Sequence, residues 1–134
     1  MNNVKQNENP IRQELGSQHP CSREQAIKAE AEAENLNDAN AFYQSYVRFG
    51  HCDDGSIAEG YSVSVVRLLT KNWSEFERLS QLTDSSKKFE RFILRHIDET
   101  MSREDQQAIL RNVHDRCPQQ AKRLCTLMEK AAAR

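Results

Sequence analysis

Residues 87–99 read KKFERFILRHIDE, and this stretch decides the fold class. Its apolar residues recur at spacings of three and four: Phe89, Phe92, Ile93 and Ile97. That is the period of an α-helix with one buried face. The same rhythm runs from Ser56 to the end of the sequence, and no stretch shows the strict alternation of a half-buried strand. We therefore predict an all-α fold.

Capping signals divide the rhythm into separate helices. Capping boxes at 22–25 and 56–59 predict two helix starts, and Ser102 begins a third pattern of the same kind. Pro118 suits the first position of a last helix. Because the connections are short, neighbouring helices should run mostly antiparallel. The prediction is an irregular bundle of five to seven helices.

The polar N-terminal stretch separates from this bundle. Residues 1–21 are rich in Asn, Gln, Glu and Pro, a composition typical of a mobile tail. Residues 22–134 then form a single helical domain, which is long enough to build a hydrophobic core without a metal. We predict a flexible polar tail followed by one domain.

Charge and hydropathy narrow the classes of partner. The formal net charge is −1, whereas nucleic-acid binding draws most of its affinity from a basic excess, so a nucleic-acid partner is not expected. No apolar run reaches the roughly 18 residues that span a bilayer, so we expect no membrane helix. The first residues lack a signal-peptide core, which favours the cytoplasm. An exported or periplasmic protein in its mature form is the alternative.

Four cysteines bear on this choice of compartment: Cys21, Cys52, Cys117 and Cys125. A helix that begins at Pro118 would place Cys117 and Cys125 roughly 12 Å apart, beyond the ~7 Å between Cα atoms that a disulfide tolerates. Two connectivities then remain: Cys21–Cys117 with Cys52–Cys125, or Cys21–Cys125 with Cys52–Cys117. Free thiols in a reducing cytosol are the other interpretation.

Candidate chemistry is sparse. His51, Cys52, His114, Cys117 and Cys125 offer donor atoms for zinc, but none shows the paired C-x-x-C spacing. Asp53 and Asp54 lack the spacing of a calcium loop and instead precede a helix start, where negative charge is favourable. We predict no catalytic residue, no cofactor and no metal site.

The sequence leaves two interpretations open for His96. It lies between Ile93 and Ile97 on the apolar face of its predicted helix. A general base oriented by Asp98 or Glu99 is one interpretation, and a partly buried histidine satisfied by a hydrogen bond is the other. We favour the second because no catalytic motif surrounds it.

The function that these patterns favour is a non-enzymatic protein-interaction module: an adaptor, a regulatory protein, or an inhibitor- or immunity-type partner of a bacterial effector. The expected contact residues lie in the first loop and on one basic helix face: His51, Asp53, Asp54, Tyr61, Lys87, Lys88, Arg91 and Arg95. A metal- or thiol-dependent protein that uses His51, Cys52, His114 and Cys117 is one alternative. A structural homodimer is the other.

Overall fold

The structure is a computed structural model that describes residues 20–98 and 100–133. These residues form seven α-helices and three short 3-10 turns, with no strand among them. The helices are α1 (Arg23–Ala33), α2 (Ala39–Phe49), α3 (Gly55–Lys71), α4 (Phe76–Ser85), α5 (Lys87–Arg95), α6 (Arg103–Asp115) and α7 (Lys122–Ala132). The all-α prediction is confirmed. The predicted tail falls mainly on residues 1–19, which lie outside the described residues.

Of the three helix starts predicted from capping residues, two hold and one is displaced. At α1 the backbone N–H of Gln25 donates to the Ser22 hydroxyl, and the Ser22 N–H donates back to the Gln25 side chain. The Ser102 hydroxyl caps α6 by accepting from Asp105. The capping box predicted at Ser56 is wrong, because α3 begins earlier, with Asp54 as its cap. Gly55 makes this possible, since its φ of +54° suits a residue without Cβ.

Helix α3 crosses the end of α1 at close range, and Gly60 permits the approach. A Cβ atom at Gly60 would lie 3.0 Å from the Cβ of Ala33 and 3.2 Å from the backbone nitrogen of Glu34. Two polar contacts hold the crossing: Ser64 Oγ donates to the Ala33 carbonyl at 2.7 Å, and Arg67 donates to the Glu34 carbonyl at 2.9 Å. The inner side of α3 is thereby fixed against α1.

The core gathers apolar side chains from all seven helices. Aromatic rings dominate it around α2, α3 and α5, where Tyr61 meets Phe92 edge-on at 5.0 Å between centroids. Rings of this kind bury large areas and prefer such tilted contacts. The largest side chains with almost no exposed surface are Phe42, Tyr61, Leu68, Leu69, Phe76, Leu79, Phe89, Phe92, Ile93, Ile97, Ile109 and Leu124. The apolar stripe of residues 87–99 therefore faces this core.

The four cysteines form two disulfides, as one interpretation predicted, but both predicted connectivities are wrong. The structure pairs Cys21 with Cys52, at 5.1 Å between Cα atoms, and Cys117 with Cys125, at 6.3 Å. The distance argument failed because α7 begins at Lys122 and not at Pro118. Pro118 is extended, with ψ at 148°, and a 3-10 turn at Gln119–Ala121 follows it. A continuous helical rise between Cys117 and Cys125 therefore does not exist, and the four cysteines are not free thiols.

Candidate functional site

A groove of about 870 Å³ lies along the outer side of α3. We call it the α3 groove. Asp53 and Asp54 form one wall. The other wall is formed by residues after α5 and at its end: Arg95, His96, Asp98, Thr100, Met101, Ser102 and Asp105. Apolar side chains contribute to its lining: Ala58, Val63, Val66 and Met101. Val63 is 51% exposed, and only Ile27, at 60%, matches it among the large hydrophobic residues of the described part of the chain.

A buried histidine connects the two walls of the α3 groove. His96 follows the last residue of α5, and its Nδ1 lies 2.8 Å from Ser62 Oγ on α3. Its Nε2 lies 2.9 Å from Oδ2 of Asp53, in the loop before α3. Arg95 donates to the same Oδ2 from Nε at 3.1 Å and from Nη2 at 2.8 Å. The end of α5 is thereby held against α3 and against the loop that precedes it.

The electrostatics of the network keep Asp53 ionised. Burial by itself would raise the pKa of this carboxyl, but hydrogen bonding to His96 and the charge of His96 lower it, and Arg95 adds to the effect. The pKa of Asp53 therefore lies below its ordinary value of 3.8. A carboxylate can only accept, so Nε2 of His96 carries a hydrogen and donates it to Asp53.

Asp98 fixes the opposite wall. Its Oδ1 accepts from the backbone N–H of Thr100 at 2.9 Å and from the Thr100 hydroxyl at 2.5 Å. Ser62 Oγ also lies 3.4 Å from Asp98 Oδ2. Burial would raise the pKa of Asp98, but the hydrogen bonds from Thr100 and Ser62 outweigh it and lower the value. Asp98 is thus a second ionised carboxylate at the groove.

Ser62, His96 and Asp53 follow the order of a catalytic triad, but the backbone N–H groups next to Ser62 are not free to form an oxyanion hole. Such chemistry needs donors aimed at the developing oxyanion, at roughly 3 Å from it. Ser62 lies in the interior of α3, where the neighbouring backbone N–H groups are bonded within the helix. The chain Ser62–His96–Asp53 can hold a proton and fix the groove walls.

The predicted contact residues do not all lie on one surface. Asp53, Asp54 and Arg95 all line the α3 groove. Lys87, Lys88 and Arg91 are exposed on α5, and they do not line the groove. His51 is half-buried, and its Nε2 donates to Gln25 Oε1 at 3.1 Å.

The prediction that Tyr61 belongs to the contact surface is wrong. Its side chain is 0% exposed, and its hydroxyl lies 2.7 Å from the Ser45 hydroxyl in the core. Burial raises the pKa of Tyr61 to about 12. The neighbours of Tyr61 in sequence, Ser62 and Val63, are among the residues that α3 presents to the groove.

Sequence reasoning missed most of the groove residues on α3, among them Glu59, Ser62 and Val63, and it also missed Met101. His96 was expected to take Asp98 or Glu99 as its partner, but it contacts Asp53. Asp98 reaches the network through Ser62, and Glu99 lies outside the described residues. No local signal could have found the Asp53–His96 pair, because the two residues are 43 positions apart.

The Cys/His set of the thiol and metal alternative is not assembled. Cys52 and Cys117 are in different disulfides, and His114 is exposed and hydrogen-bonded to its neighbour Asp115. Across residues 20–98 and 100–133, no group of three or more His, Cys, Asp or Glu side chains is placed to hold a metal ion. No helix in these ranges is long and apolar enough to cross a membrane.

Comparison with known proteins gives no relative from which a role could be transferred. The chain matches no protein-family model, no curated protein and no solved structure. Arguments about function therefore depend on the geometry of the α3 groove.

Proposed function

We propose that this chain is a non-enzymatic protein-interaction module and that the α3 groove is its contact surface. The observation that carries the proposal is the half-exposed Val63 inside a groove of about 870 Å³ that also contains ionised carboxylates. A concave apolar centre with a polar rim is the usual anatomy of a site that buries a partner's side chain.

Preorganisation of the walls supports the same proposal. Asp53, Ser62 and His96 join the loop before α3, α3 itself and the end of α5 by hydrogen bonds of 2.8 and 2.9 Å. Thr100 and Asp98 fix the turn beyond. A surface that is already rigid loses less conformational entropy when it binds. Such a network favours a binding site that is formed before its partner arrives.

The two disulfides bear on the compartment in which the protein acts. Disulfides persist in oxidising compartments and are rare in the cytosol. The pairs Cys21–Cys52 and Cys117–Cys125 therefore favour the exported or periplasmic alternative over the cytoplasm. We infer that the module acts outside the reducing cytosol, as an inhibitor- or immunity-type partner or as an adaptor. This choice of class follows from size and architecture by analogy.

Site-specific cross-linking tests the proposal. A photo-reactive amino acid is placed at Val63, and the same residue is placed at Ile27 in a matched control, because Ile27 is similarly exposed but does not line the groove. Both proteins are irradiated in an extract of the source cells. We expect a discrete cross-linked protein from position 63 and none from position 27. Excess unmodified chain should remove the product.

The outcomes separate the alternatives. Equal cross-linking from both positions would contradict the proposal, as would a product that unmodified chain does not compete away. A product with twice the mass of the chain would identify a second copy and support the structural homodimer. A single product of another mass, identified by peptide sequencing, gives the partner for the binding measurements below.

A further inference from the structure

The α3 groove contains more carboxylates than cations. Five acids line it: Asp53, Asp54, Glu59, Asp98 and Asp105. Three permanent cations face them: Arg67, Lys71 and Arg95. Arg95 is paired with Asp53, and Arg67 donates to the carbonyls of Glu34 and Leu36. Lys71 is the third groove cation. Within the described part of the chain it forms neither an ion pair nor a hydrogen bond to a backbone carbonyl. The accessible charge of the groove is therefore negative.

Four of these acids make no ion pair with any described residue: Asp54, Glu59, Asp98 and Asp105. Among residues 20–98 and 100–133, Asp53 is the one groove acid that forms an ion pair. The other ion pairs involve acids outside the groove. Glu59 and Val63 are four residues apart and so lie on one face of α3. Asp98 approaches the same face through Ser62, at 3.4 Å. An exposed apolar side chain thus shares the groove with carboxylates from two different parts of the chain.

A second, independent observation concerns Asp53. Its side chain is 5% exposed, and its Oδ2 takes the donors of Arg95 and His96. Its other oxygen, Oδ1, is buried and has no hydrogen-bond partner. A buried acceptor without a donor is unfavourable, and native proteins seldom leave one unexplained. Because Asp53 lines the α3 groove, Oδ1 is a further carboxylate acceptor at this site, and it has no donor among the described residues.

These observations fit one chemical group. We infer that the α3 groove binds an arginine side chain presented by the partner protein. The aliphatic stem lies on Val63, and the guanidinium donates to the carboxylates of Glu59 and Asp98. Arginine suits this geometry better than lysine, because its planar fork carries five donors that can reach acceptors on two elements at once. This inference depends on the proposed function and gives the chemistry of the same site.

The test uses the oxidised full chain, labelled with ¹⁵N, and two synthetic peptides. The probe is acetyl-Leu-Arg-Leu-amide, and its control is acetyl-Leu-citrulline-Leu-amide, which has nearly the same shape without the charge. We expect the arginine peptide to shift backbone signals within residues 59–66 and 95–101. The citrulline peptide should bind at least about fivefold more weakly, since it loses the Coulomb attraction to both carboxylates.

A pair of matched variants locates the effect. Glu59→Gln removes one groove charge, while Glu77→Gln removes a comparably exposed charge on α4, outside the groove. The first variant should weaken the arginine peptide about threefold or more and leave the citrulline peptide unchanged. The second should change neither. In both variants, the backbone signals of residues far from the substituted position should match those of the wild-type chain.

Three results would overturn the inference: equal affinity for the two peptides, no binding of either, or signal shifts confined to residues outside the α3 groove. None of them alone overturns the proposed function. If the residue at position 63 still cross-links a discrete partner, the groove remains the contact surface and only the arginine chemistry is wrong. If cross-linking fails while the arginine peptide binds, the groove recognises the cation but not in a partner protein.

Discussion

Nε2 of His96 lies 2.9 Å from Oδ2 of Asp53, and the two side chains are only 4% and 5% exposed. The contact joins the loop before α3 to His96, which follows the last residue of α5. Since Arg95 binds the same oxygen, one carboxylate holds two consecutive residues of the second segment. The shape of the α3 groove therefore depends on the charge of a single buried acid.

Asp53→Asn should lower the free energy of unfolding by about 2 kcal/mol at pH 7, because it removes the charge that His96 and Arg95 share. The pKa of Asp53 is lowered in the folded protein. Its contribution is therefore present above the ordinary pKa near 3.8 and is lost as pH falls through the folded value. Urea titrations from pH 7 to pH 2 should show a smaller acid-induced loss in the variant than in the wild type.

The control for this experiment is Asp115→Asn. Asp115 is exposed, and it contacts only the exposed His114. This variant should retain wild-type stability and the wild-type acid loss to within about 0.5 kcal/mol. If Asp53→Asn behaves in the same way as Asp115→Asn, the buried network does not stabilise the fold.

Gly60→Ala should destabilise the protein by about 1–2 kcal/mol, although alanine is the better helix former. The new methyl group would lie 3.0 Å from the Cβ of Ala33 and 3.2 Å from the backbone nitrogen of Glu34, and backbone there yields little. Urea denaturation measures the change. Glu59→Ala, one position earlier on the exposed face, is the matched control and should have little effect. An increase in stability at Gly60 would disprove the close crossing of α1 and α3.

Much of this fold was predictable because its signals are local. The periodic apolar residues from Phe89 to Ile97 predict a helix whatever it packs against. The caps at Ser22 and Ser102 hold because a hydroxyl needs only the backbone three residues ahead. The start of α3 was displaced because Asp54 competes with Ser56 as a cap, and Gly55 tolerates the turn that Asp54 requires.

The site was less predictable because its contacts are not local. Asp53, Ser62 and His96 meet only after α3 and α5 have packed together, and no spacing in the sequence encodes that contact. Tyr61 and Ser62 differ by one position, yet one faces the core and the other the groove. Helical periodicity indicates an apolar side but does not fix its edges to one residue. The disulfide pairing depended in the same way on the chain path at Pro118.

The two disulfides should contribute unequally to stability. Cys21 and Cys52 are 31 residues apart, whereas Cys117 and Cys125 are 8 apart. A longer loop loses more unfolded-state entropy when it is closed. Replacing the first pair by serine should therefore cost about 3–4 kcal/mol, and replacing the second about 2–3 kcal/mol. Urea titrations of both double variants check the order.

The pairing itself is checked by peptide mapping without reduction. It should yield Cys21 linked to Cys52 and Cys117 linked to Cys125. On reduction, the intact chain should gain the mass of four hydrogen atoms. A linkage between Cys21 and Cys125 would contradict the fold, and four free thiols in protein recovered from its native compartment would contradict the inferred location.

Ser62 should not react as a nucleophile. It has a histidine and an aspartate in line, but the N–H groups beside it are bonded within α3. A fluorophosphonate probe should therefore give no more adduct on the wild type than on Ser62→Ala, as measured by intact mass. Stoichiometric labelling at Ser62 that is lost in His96→Ala would show an enzyme and would contradict the non-enzymatic proposal.

The most direct test of the central claim compares two arginine substitutions by their effect on the dissociation constant for the cross-linked partner. Val63→Arg places a bulky cation inside the α3 groove, and Ile27→Arg makes the same change at an equally exposed apolar site outside it. We predict that Val63→Arg weakens binding at least about tenfold, while Ile27→Arg leaves it within about twofold of wild type. Equal affinities of the two variants for the partner would contradict the claim that the α3 groove is the contact surface.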